Sequence, residues 1–228
     1  PISRTNATVM EVRKMFGVGE HEKMILTVGG DVTSKGAQEM IQALARMNNQ
    51  YSNWKYVCKA TNSDCARGHH EEELKLISDA GLDPKKIVYV EDDFSHEFMP
   101  YLLNAADIYA APSRLEGFGM IQLEAMACGI PVISIDAMGP QDTIVHGQTG
   151  FLAKVASTVD LTEEWVTEEM GLAGTEKIYF TTPKTFAYRA DVDELADYTL
   201  RLLRNDTFRQ TMGAVAAEHA KKNFDYRH

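Results

Sequence analysis

The feature that most limits what this chain can fold into is an alternation of short apolar runs with segments of helical spacing. MILTVG at 24–29 is followed by 35–48, where Met40, Ile41, Leu44 and Met47 recur at helical intervals. WKYVC at 54–58 precedes a charged helical stretch over 69–80, and IVYV at 87–90 precedes another over 97–105. DIYAA at 107–111 leads through a loop into a helix over 119–128, which Gly129 stops as a C′ residue would. PVISI at 131–135 is a fifth strand, and 151–153 is a sixth candidate. Runs without internal alternation, each within crossover distance of the next, suit strands buried on both faces. The expected fold is α/β, a Rossmann-like doubly wound parallel sheet. Such sheets bind ligands beyond the carboxyl ends of their strands, which singles out the loops 29–36, 90–96 and 111–120.

The pattern loosens over 155–189, where Thr, Glu and aromatics mix, and the spacing there predicts a helix at 161–170 and a strand at 177–181. We read that stretch as an insertion within one domain covering 1–228. Two amphipathic helices, over 192–204 and 208–223, close the chain.

Charge and cysteine content narrow the function. The 228 residues carry 33 Asp and Glu against 23 Lys and Arg, a formal charge of −10. That balance argues against broad contact with a phosphate backbone, so no nucleic-acid partner is expected. No apolar run reaches the length of a membrane span. Three cysteines, Cys58, Cys65 and Cys128, do not make a disulfide framework, and a cytoplasmic location is expected. Cys58 and Cys128 read as small core residues and Cys65 as a loop thiol.

Two loops carry chemistry. In VGGDVTSKG the strand, glycine turn, lysine and helix follow in order, but Ser34 stands where a P-loop needs glycine and no G-x-G-x-x-G follows. From these residues alone, Gly29 and Gly30 as plain turn residues with a solvated Lys35 are the better explanation. The segment PSRLEGFGMIQLEAMACGIP at 112–131 says more. Gly117 and Gly119 flank Phe118 where a strand hands over to a helix, and N–H groups at a helix start attract an anion. Glu116 lies in the loop and Glu124 eight residues later, roughly 10 Å or less up the axis at about 1.5 Å per residue. Both could line one ligand and accept hydrogen bonds from sugar or ribose hydroxyls. A turn carboxylate and a solvent-facing helical one remain an equal alternative at this point.

The pair resembles the E-x(7)-E motif of retaining glycosyltransferases with the GT-B fold, the class of the glycogen and sucrose synthases. PSRLEGFGMIQLEAMACGIPVIS follows that signature closely. VGGDVTSKG resembles the class's donor-diphosphate loop, and ADIYAAPS and GPQDTIVHGQTGFL fall in the expected order. The resemblance implies a donor-binding C-terminal domain with a nucleoside-diphosphate sugar as substrate and no separate cofactor. It implies catalytic roles for Lys35 at the diphosphate and Glu116 at the donor sugar. It further implies that Glu124 holds the ribose, that Gly117, Phe118, Gly119, Met120 and Ile121 meet sugar and phosphates, and that Gly30 lies at the diphosphate. Phe94 would border the base. The family's usual arginine is replaced by Gly30, which leaves Lys59 and Arg114 as candidates for the second cation.

The resemblance also implies a separate N-terminal acceptor-binding domain as partner, and weak or absent transfer by this half alone. A GT-B-like epimerase or phosphorylase, or a non-catalytic nucleotide-sugar module, is the alternative. No metal is implied. Glu91-Asp92-Asp93 reads as a solvated loop, and His69-His70 with three glutamates as the charged start of a helix.

Overall fold

The computed structural model describes residues 2–3, 5–60, 64–92, 94–166 and 176–225. Six strands alternate with helices as the runs suggest: β1 (Lys23–Val28), α2 (Ala37–Met47), β2 (Trp54–Lys59), α3 (Asp64–Asp79), β3 (Ile87–Val90), α4 (Met99–Ala105), β4 (Ile108–Ala110), α5 (Met120–Ala127), β5 (Val132–Ile135), α6 (Pro140–Thr143) and β6 (Gly150–Ala153). They form one sheet in the order β3-β2-β1-β4-β5-β6, with every neighbour parallel. This is the doubly wound arrangement, in which the winding direction reverses between β1 and β4. The central strands are mostly apolar because helices cover both faces; all of β4 and β5 is buried.

Two cores result. One face packs Met40, Ile41 and Leu44 of α2 with Ile77 of α3 and Leu195 and Leu203 of α7 (Val192–Arg204). The other packs Leu102 and Leu103 of α4 with Leu123 and Met126 of α5 and Ala216 of α8 (Asp206–Phe224). That second core also receives Val9 and Val12 of α1 (Ala7–Met15), a helix the apolar pattern did not announce. Only those two residues of α1 are buried, so its signal is weak, and the Asn6 side chain capping the amides of Thr8 and Val9 is its clearest mark.

The stretch after β6 corrects the reading of 161–170 as a helix. Residues 161–166 are extended within β7 (Val155–Val166), which pairs antiparallel with β8 (Glu176–Ala190), while 167–170 lie outside the described residues. β-branched and aromatic residues fill both strands, and cross-strand pairing overrides the local helical spacing. Irregular register between Leu161 and Glu163 blurs the alternation that would have marked a strand. The root of this hairpin is fixed to the main domain: the Tyr188 N–H donates to the Arg114 carbonyl at 2.8 Å. Position 65 also departs from expectation, since it lies within α3 rather than in a loop.

Candidate functional site

The reversal between β1 and β4 opens a crevice, because the loop after β1 turns to α2 on one face and the loop after β4 turns to α5 on the other. The two loops touch, with the Arg114 N–H donating to the Ser34 carbonyl at 2.9 Å. They enclose a cleft of about 300 Å³ lined by Lys35, Tyr109, Glu116 and the run from Gly117 to Gln122.

At its mouth the Lys35 ammonium meets the Glu116 carboxylate at 2.6 Å, with side chains 24% and 15% exposed. The second Glu116 oxygen accepts from the Gly119 amide at 3.1 Å, and the Ser113 hydroxyl approaches the first at 3.4 Å. Gly119 adopts φ +84° as the N-cap of α5, and the residues of that helix's first turn, whose amides have no intrahelical partner, line the cleft. The glycine after β1 serves the lysine: a Cβ on Gly29 would stand 2.6 Å from Lys35 Cγ, so the lysine stem lies across it. Tyr109 forms the floor; burial pushes its hydroxyl well above the usual phenol range, and the charges of Glu116 and Glu124 push it further. The cleft thus combines a cation, an acidic acceptor and helix-start donors within one small volume.

A family model described as "Glycosyl transferases group 1" matches residues 10–169. The chain belongs to this family. N-acetyl-alpha-D-glucosaminyl L-malate synthase of Bacillus anthracis is 26% identical over 177 residues, which is 74% of this chain and 44% of that enzyme. The chain thus spans less than half the length of that relative. Among solved structures, Anabaena HepE in complex with UDP and glucose superposes with a TM-score of 0.74 at 20% identity, covering 97% of this chain and 49% of that one. The C-terminal domain of the group 1 protein LpcC from Francisella tularensis gives 0.69 at 21% identity, covering 95% and 92%. At these identities the likeness concerns the fold, which is that of the GT-B glycosyltransferases.

Not every residue suggested by the resemblance to group 1 enzymes falls in the cleft. Lys35, Glu116, Gly117, Phe118, Gly119, Met120 and Ile121 do. Glu124 is half-buried a turn further along α5, where it borders a neighbouring apolar groove with Phe118, Met120 and Phe224. Gly30 is exposed on the turn after β1 and is not among the residues lining the cleft. Phe94 packs on Phe98 and Phe16, with ring centroids 4.7 and 6.4 Å away, against the core face that holds α1. Lys59, at the end of β2, also stands outside the lining.

Arg114, a candidate for the second cation, is engaged elsewhere in this structure. Its guanidinium pairs with the buried Glu39 of α2 at 3.0 Å and donates to the Gln38 side-chain amide oxygen at 2.7 Å. Arg189 of β8 joins the same carboxylate at 2.8 Å, so the cluster ties α2, the post-β4 loop and the hairpin together. Tyr109 and Gln122 were missed. A tyrosine inside the apolar run DIYAA and a glutamine on the buried face of α5 were the available signals.

Glu91 and Asp92 are exposed, and Asp93 lies outside the described residues, as does the Cys65 side chain. Among the described residues no group of three or more His, Cys, Asp or Glu is arranged to hold a metal, and no helix is long and apolar enough to cross a membrane. His69 is instead engaged with Asp31, Nδ1 to Oδ2 at 2.7 Å.

Beneath the lysine loop, Glu73 of α3 is only 1% exposed. Burial raises its carboxyl above the ordinary range and the Asp31 charge adds to this, while Thr33, Tyr89 and His70 oppose it. The folded state therefore holds this proton more tightly than the unfolded chain. Stability accordingly falls as pH rises from the unfolded carboxyl range, about 4.3, through the folded one. Glu73→Gln keeps an oxygen for Thr33 and removes the buried charge. It is expected to melt at a higher temperature than the parent near pH 7.5, with the difference closing below about pH 4. Melting curves at the two pH values check this; a lower melting temperature for the variant at both would refute it.

Proposed function

We propose that this chain is the donor-binding half of a retaining glycosyltransferase that takes a sugar from a nucleoside-diphosphate sugar. The observation that carries the reading is the meeting of Lys35 and Glu116 beside the Gly119 helix start, at the switch point of the sheet. Group 1 membership and the coverage of under half of its first relative support it, and they weigh against the epimerase, phosphorylase and non-catalytic alternatives.

In this reading the entering diphosphate takes the Lys35 ammonium from Glu116. The amides at the start of α5 supply further donors as charge builds on the departing diphosphate. Glu116, freed from the lysine, accepts from the donor sugar's hydroxyls, and Glu124 accepts from the ribose. The acceptor attacks on the face the diphosphate leaves, and its binding surface belongs to another domain of a longer protein. No divalent metal takes part, and the acidic surface and sparse cysteines favour a cytoplasmic setting.

A thermal-shift panel of UDP, GDP, ADP and their sugars identifies the base; UDP is the first choice because HepE was crystallised with it. Glu124→Ala is then expected to weaken the bare diphosphate and the sugar nucleotide alike. Glu116→Ala should instead erase the preference for the attached sugar. Calorimetry in EDTA and in magnesium should give matching affinities. Equal losses for both ligands in both variants would sink the division of roles, and a large loss in EDTA would restore a metal.

A further inference from the structure

We propose that Thr33 and Glu73 are positioning residues for the Lys35 ammonium, so that α3 sets the diphosphate affinity of a cleft it does not line. The Lys35 loop is a series of tight turns: the Lys35 and Ala37 amides both donate to the Val32 carbonyl at 3.0 Å, and the Gly36 amide donates to Thr33 at 3.0 Å. Such a loop moves as a unit, and its location depends on what holds it from outside. Among the described residues, three side-chain contacts from α3 do so. The Thr33 hydroxyl donates to Glu73 Oε1 at 2.5 Å, Asp31 pairs with His69, and Gln38 at the start of α2 donates to Glu72 at 2.8 Å.

The Thr33–Glu73 contact is the one shielded from water, since both residues are 1% exposed. A hydrogen bond to a carboxylate in that environment is strong, and deleting its donor leaves a buried charge short of a partner. The second oxygen, Glu73 Oε2, and the Tyr89 hydroxyl beside it already lack tight partners. Removal of the Thr33 hydroxyl cuts the water-shielded tie between this loop and α3, which lets the loop shift. Thr33 is two residues from Lys35, whose 2.6 Å contact to Glu116 leaves little tolerance.

This inference rests on the proposed role of Lys35 at the diphosphate, and the experiment separates the two. Calorimetry uses whichever of UDP, GDP or ADP gives the largest thermal shift, with its bare nucleoside as control. Thr33→Val is expected to weaken the diphosphate by about five- to tenfold and leave the nucleoside unchanged, and Thr33→Ser to restore parental affinity. In a Lys35→Ala background, Thr33→Val should cause no further loss, because the lysine through which it acts is gone. Glu73→Asp, which draws the carboxylate back by one methylene, should reproduce the selective loss and replaces Thr33→Val if the latter does not fold.

Equal loss for nucleoside and diphosphate, or an undiminished Thr33→Val effect without Lys35, overturns the positioning role. A weak Lys35→Ala beside a parental Thr33→Val overturns it alone. A parental Lys35→Ala, or no shift with any of the three diphosphates, overturns both.

Discussion

Lys35→Ala is expected to bind a nucleoside diphosphate roughly ten- to a hundredfold more weakly than the parent, and the bare nucleoside equally well. Lys35 is the cation that lines the cleft, since Arg114 is held by Glu39 and Gln38. A hydrogen bond to a charged group contributes about 1.5–3 kcal/mol, and about 1.4 kcal/mol is tenfold in affinity. A second effect has the same sign. Without the ammonium, Glu116 faces the entering diphosphate as an unneutralised carboxylate, 15% exposed and held by the Gly119 amide. Like charges at that range repel, so the double variant Lys35→Ala/Glu116→Gln should regain part of the lost affinity. Calorimetry on the single and double variants checks both statements. Parental diphosphate affinity for Lys35→Ala would move the cation to Lys59.

Gly139→Ala should disturb the cleft from behind. Gly139 has φ −51°, an angle alanine accepts, so the obstacle is space alone. A Cβ there would stand 2.3 Å from the Gly117 carbonyl oxygen and 2.6 Å from Phe118 Cα. Both are backbone atoms and cannot swing aside, and the Gly139 N–H already donates to the Glu116 carbonyl at 3.3 Å. Overpacking of this kind costs about 1–3 kcal/mol, and here relief must come by moving the segment that carries Glu116. The variant should lose about that much stability in urea and bind the diphosphate roughly tenfold or more weakly. Gly117→Ala, with nothing within 4 Å of the added atom, is the control, expected within about 0.5 kcal/mol of the parent in stability. Parental stability and affinity in Gly139→Ala would show that the loop yields freely.

The sheet was legible because its strands are buried on both faces, so MILTV and VISI, each broken by a single hydroxyl residue, stand out as apolar runs between helical spacings. Of the hairpin β7–β8 only the strand at 177–181 was legible, because the hairpin pairs outside the main sheet, where exposed Thr and Glu replace the apolar marker. In the site, the helix-start glycines and Glu116 could be read locally, since one loop carries them. The contact between Lys35 and Glu116 joins residues 81 apart and exists only because β1 and β4 are neighbours at the reversal of the sheet. Arg114 shows the converse. Its place before the glycine loop suggested a second clamp, but a buried carboxylate on α2 competes for it, and nothing local to PSRLEG reveals that.

A crystal structure of the chain with UDP, or with whichever diphosphate shifts its melting most, tests the central claim most directly. The diphosphate should lie within hydrogen-bonding distance of Lys35 Nζ and the backbone amides at the start of α5, with the Lys35–Glu116 contact opened. A diphosphate bound instead at the opposite end of the sheet, in the 440 Å³ cavity lined by Lys23, Asp206 and Arg209, with Lys35 still closed on Glu116, would contradict it.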